Sequence, residues 1–216
     1  MPSLRLVAGP NGSGKTSLTK VLREEHSVPL GQYLNPDDIA KHIALSSKLN
    51  IPLGNEPYLA AQIAQEISIG LRDDWIADHL SFTYESVMSH ESHLETVKRA
   101  KSLGYKCYLY YICTSDPELN KARVGQRVME GGHDVPSDRI VSRYNRSLEH
   151  LSDMLSICHR AFLFDNSKKL TFFAEVTPDG YLDIIEDAFD TVEPYWFAPS
   201  VIKKWAKHKI RTVRHL

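Results

Sequence analysis

The sequence predicts an α/β fold: a mainly parallel sheet with helices on both faces, in three αβα layers. Two observations carry this. Strand-like runs at Leu4–Ala8, Gln32–Asn35, Leu80–Tyr84, Lys106–Cys113 and Ala161–Phe164 alternate with helix-like stretches, and that alternation is the mark of parallel α/β architecture. The first run leads straight into Gly9-Pro10-Asn11-Gly12-Ser13-Gly14-Lys15-Thr16 and then into a helical pattern at Leu18, Val21 and Leu22. Strand, glycine-rich loop and helix is the context of a phosphate-binding P-loop.

The loop's chemistry follows from its residues. Gly9, Gly12 and Gly14 let the chain curl so that successive backbone N–H groups point inward, with Asn11, Ser13 and Ser17 completing the cradle. The following helix adds its positive end. Lys15 brings a mobile charge to the β- and γ-phosphates, and the Thr16 hydroxyl suits Mg²⁺. The expectation is a P-loop nucleotide-binding protein using ATP or GTP.

Composition sets bounds. The 216 residues suffice for one packed domain, and a net charge of −1 supplies no global field toward nucleic acid or membrane. No run of 18 apolar residues and no charged-then-apolar leader occurs, so cytoplasmic residence without a membrane span is the expectation. Cys107, Cys113 and Cys158 lack CxxC spacing and read as small core residues, the first two on one side of one strand.

In parallel sheets a ligand sits beyond the carboxyl ends of the strands, which makes the strand ends a list of candidates. After the second strand, Asn35-Pro36-Asp37-Asp38 reads as an N-cap, a proline at the first helical position and acids in the first turn. Those acids either complement the helix dipole or serve the P-loop. Residues 39–79 are mainly helical, with a break at Pro52-Leu53-Gly54-Asn55; Leu59, Ile63, Ile67 and Leu71 predict the packed face of the second helix. This insertion reads as packing, with a substrate cover the alternative. Glu85 ends the third strand and should point into the cleft. Asn166 and Ser167, after the fifth strand, are turn residues or a border for the base.

Residues 123–146 form the second informative region. Arg123 and Arg127 share a face of one helix, Arg139, Arg143 and Arg146 a face of the next, with Glu130-Gly131-Gly132-His133 between. The second arginine stripe lies roughly 130° from the apolar stripe Ile140, Tyr144, Leu148, Leu151 and Leu155. Arginines on either side of a glycine hinge suit a lid that closes over triphosphate; His133 either touches phosphate or caps the turn. Further on, Leu170–Val176 and Tyr181–Ile185 bracket the hairpin turn Pro178-Asp179-Gly180. Residues 1–190 are expected to form the catalytic domain and 191–216 a basic helical tail. Between 175 and 193 there are seven acids and no base, and between 201 and 216 six Lys/Arg and no acid. The tail is expected to fold back on the acidic run rather than meet nucleic acid.

Together the P-loop, Asn35-Pro36-Asp37-Asp38-Ile39-Ala40, Tyr84-Glu85-Ser86 and the segment from Arg127 to Leu148 resemble the zeta-toxin-like P-loop kinases, in particular a bacterial branch labelled predicted ABC-type ATPases. The resemblance spans about residues 3–170 and implies a nucleoside-kinase-like fold and an ATP- or GTP-dependent, Mg²⁺-assisted kinase of a small-molecule acceptor. It implies Asp37 as catalytic base, Lys15 and Thr16 as nucleotide and metal residues, Glu85 as a substrate-holding acid, and Arg127 with Arg143 or His133 as phosphate-neutralising lid residues. Toxin members phosphorylate UDP-N-acetylglucosamine, which makes a UDP-N-acetyl sugar a candidate acceptor and an antitoxin protein a candidate partner. The chain reads Glu85-Ser86-Val87 where those toxins read Glu-Gly-Thr, and Ser89 where they carry arginine. The alternatives are a P-loop ATPase and a polynucleotide kinase; no ABC signature Leu-Ser-Gly-Gly-Gln is present.

Overall fold

The computed structural model describes residues 1–45, 59–130 and 135–214. The turn at Pro52–Asn55 and the segment Gly131-Gly132-His133 lie outside the described residues. The order is β1 (Ser3–Ala8), α1 (Lys15–Glu24), β2 (Gln32–Leu34), α2 (Pro36–Leu45), α3 (Leu59–Ala77), β3 (Phe82–Ser86), α4 (Ser92–Ser102), β4 (Lys106–Cys113), α5 (Pro117–Met129), α6 (Ser137–Ile157) and β5 (Arg160–Asp165). Then follow β6 (Thr171–Val176), β7 (Leu182–Ile185), α7 (Glu186–Val192), α8 (Phe197–Ser200) and β8 (Ile210–Val213). They build one eight-stranded sheet in the order β2-β3-β1-β4-β5-β6-β7-β8. The first five strands in that order are parallel, β6 runs antiparallel to β5 and β7, and β8 is parallel to β7. The predicted three-layer α/β architecture is thus present.

Alternation along β1 explains the layers. Leu4, Leu6 and Ala8 join the large core with Ile76, Val97, Leu109, Tyr111, Leu151 and Leu163. Val7 faces the opposite way, against Leu18 and Leu22 of α1 with Tyr110 and Ile112. Burying each such leucine contributes roughly 1.5–3 kcal/mol. A strand sandwiched this way buries most of its side chains, which is why β1 reads as a largely apolar run, interrupted by Arg5, whose guanidinium lies over the Tyr108 ring. Cys107 and Cys113 lie in the large core as expected. Burial pushes their thiols up, to about 11 and about 12, so both stay protonated.

Three expectations need correction. The third strand begins at Phe82, not Leu80: the Leu80 N–H donates to the Trp75 carbonyl and closes the end of α3, leaving Leu80 40 % exposed. The buried stripe of α3 is Ala64, Ser68, Arg72 and Ile76, one position round from the face that apolar counting selects; Ile67 is 41 % exposed. Two of those buried residues are polar, and a count of apolar residues cannot register them. The expected basic helical tail is instead two short 3-10 turns followed by β8, which extends the sheet. There the Arg211 guanidinium makes a two-pronged contact to Asp183, 2.6 and 2.7 Å, and lies over the Tyr181 ring. The basic run therefore does meet the acidic one, through a strand and not a helix.

Candidate active site

The P-loop begins where β1 ends, between β3 and β4. Its curl requires glycine: a Cβ at Gly9 would lie 1.9 Å from the Ile112 carbonyl oxygen, and one at Gly12, where φ is +74°, would lie 2.7 Å from that of Asn120. Neighbouring elements brace the loop. Asn120 of α5 donates to the Asn11 carbonyl at 2.5 Å and accepts from the Thr114 hydroxyl; Asn166, just after β5, donates to the Ser13 carbonyl at 2.9 Å. Lys15 folds over its own loop, donating to the carbonyls of Gly9 and Pro10 at 2.9 and 3.0 Å. Burial lowers its pKa while the Glu85 charge opposes that shift.

Glu85 is the penultimate residue of β3, one strand away, paired in register with Val7. It is 3 % exposed and accepts hydrogen bonds from Thr19 Oγ1 at 2.7 Å, Tyr33 Oη at 2.7 Å and Thr16 Oγ1 at 3.2 Å. Burial and the adjacent carboxylate both push the Tyr33 phenol up, so it remains a donor. The buried acid is stabilised by hydroxyl donors, as a carboxylate removed from water must be.

Asp37 reaches the same place from α2. Asn35 caps this helix through its carbonyl and its side chain, whose Oδ1 accepts from the Asp37 N–H at 3.0 Å, and Pro36 occupies the first turn. The Asp37 carboxylate is solvent-accessible in the cleft and 3.9 Å from Arg127 Nη1 of α5. From α6, Arg139 and Arg143 line the same cleft, of about 390 Å³, with Asn11, Lys15, Asp37 and Glu85. Tyr144 Oη donates to the Thr114 carbonyl at 2.6 Å, which pins α6 to the end of β4 and fixes where Arg143 starts. Burial, then the like charges of Arg139 and Arg143's other neighbour Arg146, lower the Arg143 pKa; Asp37 opposes them.

Deeper in the cleft lies a group that no sequence pattern marks. Arg72 of α3 is 5 % exposed and sits over the Tyr84 ring, 4.7 Å from its centroid. Its Nη1 is 3.5 Å from His93 Nδ1, and His93 Nε2 is 2.8 Å from Ser86 Oγ. Burial, reinforced by Arg72, drops the His93 pKa to about 3, so the ring is neutral at pH 7. Since Arg72 can only donate, His93 Nδ1 accepts and Nε2–H donates to Ser86.

Residues 1–175 match the Zeta toxin family model. The chain belongs to the zeta toxin family. An uncharacterized protein of Haemophilus influenzae is 32 % identical over 136 residues, covering 63 % of this chain and 88 % of that one. Among solved structures, one from the PezAT chromosomal toxin–antitoxin system of Streptococcus pneumoniae superposes with a TM-score of 0.60 at 16 % identity, over 97 % of this chain and 82 % of that one. AvrRxo1-ORF1:-ORF2, solved with ATP, gives 0.64 at 18 % identity, over 89 % and 63 %. At such identities the two structures show the shared fold.

Within this zeta-toxin fold, Asn11, Lys15, Asp37, Glu85 and Arg143 meet in one cleft, with Arg127 at its edge. Gly9, Gly12, Ser13, Gly14, Thr16 and Ser17 lie in the loop and the first turn of α1, beside it. His133 lies outside the described residues. Arg123 instead reaches the Ser167 carbonyl at 3.5 Å, and Arg146 is exposed further along α6. Arg72, His93 and Asn120 are the residues that sequence reasoning missed. Asn120 had no signal beyond its place three residues after Pro117.

Proposed function

We propose that this zeta-toxin-family protein is a kinase that transfers the γ-phosphoryl group of ATP, or GTP, to a hydroxyl of a small metabolite. The observation that carries the reading is the meeting of P-loop, Asp37 and lid arginines on one cleft at the carboxyl ends of the strands. Binding of ATP is supported by the P-loop and by the AvrRxo1 structure solved with ATP. Adjacent hard oxygens, Thr16 Oγ1 and Glu85 Oε2, fit Mg²⁺, which in nucleotide sites takes few protein ligands besides phosphate and water. Bound there, Mg²⁺ would neutralise charge on the β- and γ-phosphates.

This chain's residues divide the remaining work. Lys15 exchanges its bonds to the loop carbonyls for phosphate oxygens. Asp37 leaves its long contact with Arg127 to accept the proton of the attacking hydroxyl; the loose transition state of phosphoryl transfer demands positioning more than basicity. Arg127 and Arg143 then balance the charge spread over the transferred group. Val87 and Ser89 line the same cleft. A UDP-N-acetyl sugar is the acceptor the family suggests, and an antitoxin protein the partner, as in the PezAT system.

Asp37→Ala should lower phosphoryl transfer by about a hundredfold or more while calorimetric ATP affinity stays near that of the wild type. Loss of ATP binding in this variant would count against the role of Asp37 as base.

A further inference from the structure

Arg72 is out of keeping with the other buried or half-buried ion pairs of this fold. Arg160 pairs with Glu175 at 2.6 Å and Arg211 with Asp183 at 2.6 Å. Arg72 is far more buried than either arginine, yet no carboxylate among the described residues pairs with it. Its Nε has no hydrogen-bond partner there either. Its surroundings are a ring face and a neutral imidazole, which orient the guanidinium without cancelling its charge. A buried cation without an anion is costly, and a structural filler at this position needs no charge. Arg72 also lines the cleft that holds Asp37, whose lining includes Gln62, Gln65 and Arg139. The planar fork is the side chain best matched to phosphate or carboxylate oxygens.

We propose that Arg72 is the anion-reading residue of the acceptor site, so that the acceptor carries an oxyanion, phosphate or carboxylate, in addition to the hydroxyl that is phosphorylated. The inference rests on the kinase reading for the word acceptor; the anion site itself does not. Tyr84 and His93 are positioning residues: the ring supports the guanidinium plane, and the neutral His93 holds Nη1 while Ser86 holds His93. The P-loop lines the same cleft through Asn11 and Lys15, and these would read the donor phosphates while Arg72 reads the acceptor oxyanion.

The test uses the full chain labelled with ¹⁵N on arginine, with Mg²⁺ and a non-hydrolysable ATP analogue saturating the P-loop. Inorganic phosphate and acetate are titrated separately while the Arg72 Nε–Hε resonance, assigned by through-bond correlation, is followed. A saturable shift with phosphate assigns a phosphate-bearing acceptor, and one with acetate a carboxylate. Arg72→Lys should then weaken that binding about tenfold or more without changing affinity for the ATP analogue. A resonance that moves with neither probe overturns the proposal. So does an acceptor, identified by turnover, that has no oxyanion. A saturable shift together with no phosphorylated product from any acceptor would leave the anion site standing and defeat the kinase reading instead.

Discussion

Glu85 and Arg72 show how much one residue's surroundings decide. Both are buried at the same cleft, but Glu85 is satisfied by three hydroxyls, whereas Arg72 meets a ring face and an imidazole that leave its charge unpaired among the described residues. Glu85 was legible because it stands near the end of a strand in a parallel sheet, and the strand-end rule needs only the sequence. Arg72 was not, because its helix carries it to the buried stripe at a position that periodicity assigns to another face. His93 gives a prediction at this scale. Its folded-state pKa of about 3 lies below the usual 6.5, so the unfolded chain takes a proton that the folded chain refuses. The resulting stability is complete above about pH 6.5 and falls as pH drops toward 3, because the unfolded state then binds more protons. NMR of the imidazole protons should show His93 not titrating between pH 5 and 8. In His93→Gln, stability should fall less steeply with acid over that lower window. A midpoint near 6.5 for His93 would contradict the geometry.

At the scale of elements, the P-loop is a backbone structure held by its neighbours. α5 supports it through Asn120 and offers Arg127 to the cleft, so one helix joins loop and lid. Gly12→Ala should therefore be doubly unfavourable: the left-handed φ costs on the order of 1–2 kcal/mol, and the new methyl meets backbone that cannot swing away. A fall in melting temperature with weakened ATP binding is expected. Gly70→Ala is the matched control, since nothing lies within 4 Å of a Cβ there in α3; it should stabilise by about 0.5–1 kcal/mol. Arg127→Ala should reduce kcat on the order of a hundredfold with little change in ATP affinity, because its charge is needed when charge spreads in the transition state. A defect confined to ATP affinity would contradict the lid role. Helices α5 and α6 could be read from the sequence because caps and stripes are local. The brace from Asn120 to Asn11 could not, since it joins residues far apart in the chain.

For the whole molecule, the sheet's first five strands were legible from alternation, and its far edge only in part. The hairpin of β6 and β7 follows from its turn, Pro178-Asp179-Gly180. The strand β8 was hidden: Ile210–Val213 is short, lies among basic residues, and becomes a strand only because β7 offers an edge and Asp183 a partner for Arg211. That placement also occupies one of the cations that a nucleic-acid reading of the tail would require. No helix among the described residues is long and apolar enough to cross a membrane. What remains is a zeta-toxin fold with one cleft that combines a P-loop, an accessible aspartate and arginines from two sides. The measurement that tests this account most directly is incubation of the protein with Mg-ATP and a bacterial metabolite extract, read by mass spectrometry with Asp37→Ala alongside. The account predicts one class of metabolite that gains a single phosphate with the wild type and not with the variant. Release of ADP with no newly phosphorylated species, or a product formed equally by Asp37→Ala, would contradict it.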